Sequence, residues 1–371
     1  MIARLVVPLA LVLAFAAACG GDGDPSATER PQAPQKPSFT AEPAASPDAG
    51  GLGTWRTLAP MPTPRTEVAV AALDGLIYVI GGLEGDGSSS AKVEVYDPAT
   101  DTWSEAAPLP EPRHHAAATG FNGPGTPQVW VIGGFEASGD ASAETFLYDP
   151  STKAWTAGEP LAEARGATAV AVVNAQISVM YVVGGARTGT GGTQENVGTT
   201  ESYVLERGWD RDPDLPTPRD HLAAVGIPVR VYAIGGRLGG DYGQNVNTTQ
   251  VYDGTSVSDG TWRDLRPMPT ARSGIAAVSF PGTWDGCQDC EPHPFGNMIY
   301  VFGGEGPQGT FRENEMYDAG TDTWTTMAPM PTARHGLGAA VVGDTIYVIG
   351  GGPEPGLSVT GANEAYTPPG R

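Results

Sequence analysis

A six-residue phrase, Ile77-Tyr78-Val79-Ile80-Gly81-Gly82, constrains this chain most, because close relatives of it recur along the sequence. The later copies end in the diglycines Gly133-Gly134, Gly184-Gly185, Gly235-Gly236, Gly303-Gly304 and Gly350-Gly351. Their first glycines lie 47 to 52 residues apart, except for one interval of 68 residues. A period of about 50 residues, with a β-rich apolar run before each diglycine, indicates a closed repeat fold that packs unit against unit.

Each repeat carries the same features in the same order. A Pro-x-x-Arg turn, which lacks its proline in the third copy, precedes a strand of small apolar residues and then the diglycine strand. A third strand ends near a tyrosine, and a fourth begins near a tryptophan. The arginines are Arg65, Arg113, Arg165, Arg219, Arg272 and Arg334, and the tryptophans that follow them are Trp103, Trp155, Trp209, Trp262 and Trp324. Small side chains suit an innermost strand, and the continuous apolar run indicates a central strand buried on both faces.

The span from Trp55 to Tyr366 resembles a six-bladed kelch β-propeller, of the broad group that includes galactose-oxidase-like domains. This resemblance implies an all-β fold with four antiparallel strands in each blade. The pattern starts with a lone fourth strand at Trp55 and stops after a third strand at Tyr366, so we expect the N-terminal strand to complete the last blade and close the ring. The expected blades are residues 65–110, 111–162, 163–216, 217–269, 270–331 and 332–366 with 54–62, followed by a tail at 367–371.

Residues 1–19 have the parts of a secretory signal, with Arg4, an apolar run and small residues before Cys19. The apolar run is too short to span a bilayer. The small residues before Cys19 resemble a bacterial lipobox, although Ala16 stands where such motifs usually have leucine. We therefore expect an exported protein that is lipid-anchored through Cys19 to the outer side of the bacterial membrane or cell envelope. The alternative is ordinary cleavage, which would leave Cys19 as a free thiol.

The composition of the chain disfavours some classes of partner. The formal net charge is -21, so nucleic acid is a poor partner, and a membrane is expected to be reached only through the lipid anchor. Residues 20–53 are rich in Pro, Ala, Ser and Gly and cannot bury enough apolar surface to fold, so they are expected to form a tether. The propeller at 54–366 is expected to be one domain and a monomer.

The Pro-x-x-Arg turns and the loops after the diglycines should share one face, because consecutive strands run antiparallel. There the six arginines are expected to encircle the channel mouth, where planar guanidinium groups suit an anionic sugar or carboxylate. The alternative is that each arginine holds neighbouring blades together through hydrogen bonds to carbonyl groups. His114, His115, His221 and His335 follow these arginines within two positions and are expected to line the mouth without binding a metal, and no cofactor is expected.

The loops after the third and fourth diglycines are the longest on this face and supply Arg187, Arg237 and Tyr242 as further candidate ligand-binding residues. The alternative is a pair of flexible, solvated loops, which cost little to lengthen.

An insertion near Pro281 to Gly296, on the opposite face, contains Cys287 and Cys290. In an exported protein this spacing favours a local disulfide. A redox dithiol would need a helix start, and a zinc site with His293 would lack a fourth ligand.

Two functions follow as expectations. The first is a non-catalytic, surface-tethered recognition module that binds a glycan, peptide or protein through the face that carries the arginines. The second is an exported sugar-transforming enzyme similar to the kelch-type epimerases that act on sialic acid (N-acetylneuraminate), for which Glu67, Glu84 and Glu305 are acid-base candidates. Copper-radical oxidation, as in galactose oxidase, is disfavoured because no spare cysteine lies in a blade. The sequence has no nucleophile elbow, phosphate-binding glycine loop or HExxH motif.

Overall fold

The structure is a computed structural model that describes residues 51–121, 126–174, 177–227, 229–254, 260–281 and 297–369. The expected signal sequence with Cys19, most of the expected tether and the expected disulfide between Cys287 and Cys290 lie outside the described residues. Within the described ranges, no helix has the length and apolar character needed to cross a bilayer.

The described residues form six four-stranded antiparallel sheets, which are the blades of a β-propeller. Blades 1 and 2 contain β2 Ala69–Leu73, β3 Leu76–Ile80, β4 Val93–Asp97 and β5 Thr102–Glu105, then β6 Ala117–Phe121, β7 Gln128–Ile132, β8 Thr145–Asp149 and β9 Ala154–Ala157. Blades 3 and 4 contain β10 Ala169–Asn174, β11 Ser178–Val183, β14 Thr200–Val204 and β15 Gly208–Asp212, then β16 Ala223–Ile227, β17 Arg230–Ile234, β20 Thr249–Asp253 and β21 Thr261–Asp264. Blades 5 and 6 contain β22 Ala276–Pro281, β23 Asn297–Phe302, β26 Asn314–Asp318 and β27 Thr323–Thr326, then β28 Gly338–Val342, β29 Thr345–Ile349, β30 Asn363–Thr367 and β1 Thr54–Thr57.

The N-terminal strand closes the ring, as the repeat pattern predicts. Strand β1 pairs antiparallel with β30, and Trp55 lies opposite Tyr366. The first strand of every blade packs on the first strands of its two neighbours, and β28 returns to β2. The expected fold class, a six-bladed β-propeller whose last blade is completed by the N-terminal strand, is therefore confirmed.

Short hairpins extend beyond the blades in three of the loops after the diglycines. They are β12 Ala186–Thr188 with β13 Gln194–Asn196, β18 Arg237–Leu238 with β19 Asp241–Asn245, and β24 Glu305–Gly306 with β25 Gly309–Thr310, and a 3-10 turn at Thr190–Gly192 lies inside the first. In each blade the residue after the arginine forms a bridge with the residue after the diglycine, for example Thr66 with Leu83. These two sets of loops therefore share one face, which we call the loop face.

A ring of tryptophans ties the outer parts of the blades together. In each blade the third-strand tyrosine packs on the fourth-strand tryptophan with centroids 4.9 to 5.3 Å apart. Each indole nitrogen also donates a hydrogen bond to a backbone carbonyl of the preceding blade. Trp55, for example, donates to the carbonyl of Ala328 at 2.8 Å. The recurrent tryptophan thus combines apolar burial with a contact between blades.

The diglycines make the matching inner contact. The second glycine of each pair donates its N–H to the backbone carbonyl of the next blade's arginine at 2.8 to 3.1 Å, and the last such bond runs from Gly351 to Arg65 across the closure. Gly81 and Gly82 have φ of 60° and 94°, a region that disfavours other residues. A Cβ on Gly81 would collide with the carbonyl of Arg113. Both the backbone conformation and the close approach therefore require glycine here.

The six arginine side chains point into their own blades and are buried, with 0–1% of each residue exposed. Arg272 donates to the carbonyls of Gly303 and Val301 at 2.7 and 3.2 Å and is paired with Glu315. The other carboxylate pairs are Arg65 with Glu94, Arg113 with Glu144, Arg165 with Glu201 and Arg334 with Glu364. The guanidinium groups therefore do not encircle the channel mouth as expected, because their hydrogen bonds are directed into the blades and, for Arg113, to the more exposed carboxylates of Glu111 and Glu144.

Blade 4 differs because its arginine faces an amide. Arg219 donates to Gln250 Oε1 at 2.8 Å, and Gln250 donates onward to Asp264 at 2.8 Å. Burial lowers the pKa of Arg219 to about 10, and the charge of Asp264 opposes this shift. The carboxylate of Asp264 therefore interacts with this arginine indirectly, through the amide of Gln250.

The ring closure can be tested by truncation. Deleting residues 54–62 removes β1 and the buried Trp55, and we expect a loss of unfolding free energy of at least about 3 kcal/mol, the lower end for loss of a buried tryptophan. Deleting residues 20–50 is the control and should leave the denaturation midpoint nearly unchanged. Equal losses from the two truncations, measured by chemical denaturation, would contradict the closure.

The buried pairs can be tested by Glu315→Gln, which keeps the shape of the side chain and removes its charge. Arg272 would then be a buried charge without compensation, so we expect a loss of about 3 kcal/mol in unfolding free energy. Glu195→Gln is the matched control, because it breaks an exposed pair with Arg187 and should cost at most about 1 kcal/mol. A similar cost for both variants would argue against a structural role for the buried pair.

Candidate functional site

The channel opens on the loop face through a ring formed by the second residue after each arginine. These residues are Glu67, His115, Ala167, His221, Gly274 and Gly336, which we call the mouth ring. Hydrogen bonds of 2.8 to 3.0 Å link successive members from His115 to Gly336, each N–H donating to the preceding carbonyl. Val68 N–H closes the circle on the carbonyl of Gly336 at 3.4 Å. The geometry of the repeat therefore brings one position of every blade to the axis.

This position is conformationally costly for most residues. All six members have φ between 50° and 64°, the left-handed region. Glycine fills it in blades 5 and 6, whereas Glu67, His115 and His221 each accept a cost of about 1–2 kcal/mol for a side chain there. Strain of this kind is often retained at functional sites. The strained backbone therefore makes the mouth ring a candidate functional site.

Four side chains meet at the centre of the ring: Glu67, His115, His221 and His335, which we call the mouth cluster. Glu67 Oε2 lies 3.3 Å from Nε2 of His115 and 4.0 Å from Nε2 of His221. Glu67 Oε1 lies 3.3 Å from Nδ1 of His335. The rings of His115 and His221 meet edge to face with centroids 4.8 Å apart. The three histidines therefore lie at the channel mouth, where the sequence predicts them.

A second set of charged side chains orients His221. Arg237 donates to Asp220 at 3.0 Å and to Glu305 at 2.7 Å, and its Nη2 lies 3.0 Å from Nε2 of His221. A guanidinium group can only donate, so Nε2 of His221 accepts, and its Nδ1 carries the proton that Asp220 accepts at 2.5 Å. Burial alone would raise the pKa of Asp220, but the hydrogen bond from His221 and the charge of Arg237 lower it to about 2.

The protonation of the mouth cluster follows from its contacts. Burial alone would raise the pKa of Glu67, but the facing imidazoles, His115 first, hold it well below its usual range. Burial also holds the pKa of His115 well below its usual range, although Glu67 opposes this shift. At His335, burial is outweighed by Glu67 and Glu305, which raise its pKa. Glu67 is therefore held in its ionised form, and the pKa shift of His335 favours the protonated imidazole beside it.

Neighbouring groups fix two of these imidazoles. Nδ1 of His115 lies 2.5 Å from Nδ1 of His114, and both rings contact Phe135 with centroids 5.5 to 5.6 Å apart. His335 directs Nε2 at the carbonyls of Glu354 and Gly356, at 3.1 and 2.9 Å. Carbonyl oxygens only accept, so this nitrogen carries a proton and Nδ1 faces the carboxylates. The cluster is therefore preorganised by contacts that do not involve a ligand.

The cavity over the mouth cluster is small. Its volume is about 90 Å³, and it is lined by the six mouth-ring residues and by the residue that precedes the first strand of each blade. Pockets for small organic ligands usually have volumes of about 300–1,000 Å³. The cavity therefore suits an ion, a few waters or one side-chain tip better than a whole sugar.

The remaining candidates lie away from the cluster. Arg187 is half-exposed on the first hairpin and pairs with Glu195 and Glu163 at 3.0 and 3.3 Å. Tyr242 is exposed on β19 of the second hairpin. Glu84, an expected acid-base candidate, contacts Ser90 and Lys92 instead of the cluster. Of the residues named from the two long loops, only Arg237 thus joins the residues at the channel mouth.

Sequence reasoning named Glu67, Glu305 and the histidines but missed Asp220. The signal was available, because Asp220 stands between Arg219 and His221, at the position that His335 occupies in blade 6. What the sequence could not give was the direction of each side chain. His335 follows its arginine by one residue and yet reaches the same carboxylate as His115, which follows by two.

Comparisons with known proteins agree with this architecture. A model described as the kelch motif matches residues 64–110 and 287–331. The Kelch-like protein terF of Aspergillus terreus is 32% identical over 341 residues, which cover 85% of this chain and 68% of that protein. Kelch-like protein 34 of Homo sapiens is 29% identical over 80% of this chain and 36% of its own length. Beta-scruin of Limulus polyphemus is 29% identical over 62% of this chain, which spans a quarter (25%) of that protein.

A solved structure titled "Structure of YjhT" superposes with a TM-score of 0.63 over 82% of this chain and 95% of that chain. At 16% identity this likeness concerns the fold alone. Together with the match to the fungal protein over most of both sequences, the repeats and the six blades lead to one conclusion: this chain belongs to the kelch-repeat family.

Proposed function

We propose that this chain is a non-catalytic recognition module that binds a protein through the loop face. The observation that carries this proposal is the position of exposed apolar side chains. Among the described residues the large hydrophobic side chains with high exposure are Ile177, Tyr242 and Leu357. Tyr242 and Leu357 belong to loops of the loop face, whereas Ile177 lies in the turn between β10 and β11 on the opposite face. Aromatic and aliphatic anchors on loops of a rigid scaffold are typical of docking surfaces.

The Leu357 loop is held in place. Gly356 N–H donates to Glu305 at 3.0 Å, and the carbonyls of Glu354 and Gly356 face His335. Thr310 of the neighbouring blade donates to the carbonyl of Pro353 at 2.7 Å. A partner that docks on Leu357 would therefore meet a surface that is already ordered, which lowers the entropic cost of binding.

The charge of the loop face indicates which kind of partner segment would bind there. The exposed or half-buried acids there are Glu84, Asp86, Glu111, Glu136, Asp140, Glu144, Glu163, Glu195, Asp241 and Glu354. Arg187 and Lys92 are already paired with acids, Arg312 adds one exposed cation, and the six repeat arginines are buried. The loop face is therefore acidic, and complementarity favours a partner segment with lysine or arginine around its apolar contacts over the anionic ligand expected from the arginines.

The cavity volume weighs against the sugar-transforming alternative. A cavity of about 90 Å³ would enclose only part of a nine-carbon sugar acid, although Glu67 and the histidines could serve as acid and base groups. Membership in the kelch-repeat family supports binding, because a closed repeat presents different loops on a constant frame. Protein binding, unlike catalysis, requires only the apolar and charged side chains that the loop face already presents.

Photocrosslinking in the producing cells tests this proposal. A photoreactive phenylalanine analogue at Tyr242 or Leu357 should give a protein adduct, and the same analogue at Ile177 should not. Ile177 is a matched control because it is as exposed as Leu357, at 54%. Adding Leu357→Asp should lower the adduct yield from position 242 several-fold, since the loss of about 1 kcal/mol of binding free energy at an anchor lowers the affinity about fivefold.

Equal adduct yields from both faces would contradict docking on the loop face. A glycan ligand would replace the protein partner if the purified chain bound a glycan array and none of the three positions gave a protein adduct.

We also propose that the protein is exported and anchored through a lipid on Cys19, with residues 20–53 as a tether between the anchor and the propeller. Support comes from the charged start, apolar run and small residues before Cys19. Labelled palmitate should be incorporated by the wild-type chain and lost in Cys19→Ser, and the variant should leave the membrane fraction. Equal labelling of both chains would contradict the anchor.

A further inference from the structure

We propose that Glu67, His115 and His221 form a binding site for a divalent first-row transition-metal ion at the centre of the loop face. This inference goes beyond protein docking and does not depend on it. Two imidazole nitrogens and one carboxylate oxygen are a common ligand set for ions such as Zn²⁺ and Fe²⁺. The expectation from sequence was that these histidines line the channel without a metal.

The distances fit a shared ion. The three ligand atoms, one each from Glu67, His115 and His221, lie within 4.8 Å of one another. Two atoms that each lie about 2.1 Å from a common ion are separated by roughly 3.0 to 4.2 Å, depending on the angle at the ion. Glu67 Oε2 lies 3.3 Å from the nitrogen of His115 and 4.0 Å from that of His221. Small rotations of the imidazoles would therefore complete the site.

The groups behind the ligands orient them as metal sites require. Asp220 accepts the Nδ1 proton of His221, so its Nε2 presents a lone pair towards the cluster. Nδ1 of His115 is engaged by Nδ1 of His114, which leaves Nε2 of His115 directed at Glu67. A carboxylate behind a ligating histidine is a frequent device for fixing the tautomer and the ring orientation.

A second observation points to the same place. Nδ1 of His335 is buried and makes no hydrogen bond by geometry, although it lies 3.3 Å from Glu67 and 3.7 Å from Glu305. The His335 side chain is 2% exposed. A further buried nitrogen therefore faces the carboxylate of Glu67, next to the three ligand atoms.

The position of the ligands in the fold is also informative. Glu67, His115 and His221 occupy equivalent places in blades 1, 2 and 4, each in the left-handed conformation. Blades 5 and 6 use glycine at that place. The cavity of about 90 Å³ leaves room beside an ion for one or two waters, so a coordination position would stay open.

Arg237 opposes metal binding, because its guanidinium group occupies the ligand nitrogen of His221. Its Nη2 lies 3.0 Å from Nε2 of His221, so an ion would displace this hydrogen bond. Three carboxylates, those of Glu67, Asp220 and Glu305, lie around the single guanidinium group of Arg237, so the centre attracts a cation. Replacing Arg237 by glutamine should therefore tighten metal binding, a result that a purely structural role for the cluster would not produce.

The test uses the full chain, stripped with a chelator and titrated with Zn²⁺ by calorimetry. We expect one equivalent to bind, a loss of affinity of at least about 100-fold in Glu67→Gln, His115→Ala and His221→Ala, and a loss of about 10- to 100-fold in Asp220→Asn. Glu136→Gln is the control, because Glu136 lies in the acidic group with Glu111 and Glu144 on the same face and carries no histidine partner there. This variant should bind as the wild type does.

Cobalt provides a measurement that does not depend on variants. Co²⁺ bound by two imidazoles and a carboxylate should give visible d–d absorption that Zn²⁺ displaces. The proposal is overturned if wild-type protein shows no such absorption, or if folded Glu67→Gln and His115→Ala bind Zn²⁺ as tightly as wild type. It is also overturned if Glu136→Gln alone abolishes binding. Circular dichroism and thermal unfolding establish which variants are folded.

Discussion

The structure depends on the contact between a diglycine and the arginine of the next blade. The glycine N–H donates to the arginine carbonyl, while the guanidinium group turns into its own blade and binds carbonyls and a carboxylate there. Each repeat thus contributes a donor to the following unit and an acceptor to the preceding one. The sixth contact, from Gly351 to Arg65, joins the last blade to the first, and the pairing of β1 with β30 completes that last blade. This arrangement explains why arginine, glycine and tryptophan recur while the residues around them vary.

Most of the fold could be predicted from the sequence, because it follows from features that repeat. The Tyr78 strand, the Trp103 strand and the lone strand at Trp55 each identify a place in the blade without reference to distant residues. The partners of the arginines were harder to predict. Glu315 and Glu364 stand two residues before a tyrosine, as do Glu94 and Glu201, but only the packed blade brings this position under the arginine two strands away.

The candidate site could be predicted only in part. The positions after the arginines are recognisable in the sequence as the channel mouth, and the histidines there are candidates from the sequence alone. Their convergence on Glu67 depends on left-handed backbone at Glu67, His115 and His221, which no local pattern announces for those residue types. Arg237 reaches the centre because β18 returns over the mouth, whereas Arg187 at the corresponding hairpin faces outward to Glu195. Small differences in loop direction therefore separate a central residue from a peripheral one.

The repeated residues build a rigid ring. The two proposed sites use positions where the blades differ, namely the mouth cluster at the centre and Tyr242 and Leu357 on the surrounding loops. An acidic loop face with a preorganised polar centre suits a partner very different from the acidic ligand that six exposed arginines would select.

The most direct test of this account is arginine-selective modification of the native protein with phenylglyoxal, mapped by peptide mass spectrometry. Burial of the six repeat arginines predicts rapid modification of the exposed Arg187, Arg207 and Arg211, and none of Arg65, Arg113, Arg165, Arg219, Arg272 or Arg334 until the protein unfolds. Modification of the six repeat arginines at the rate of the exposed ones would contradict it, because it would place their guanidinium groups at the channel mouth.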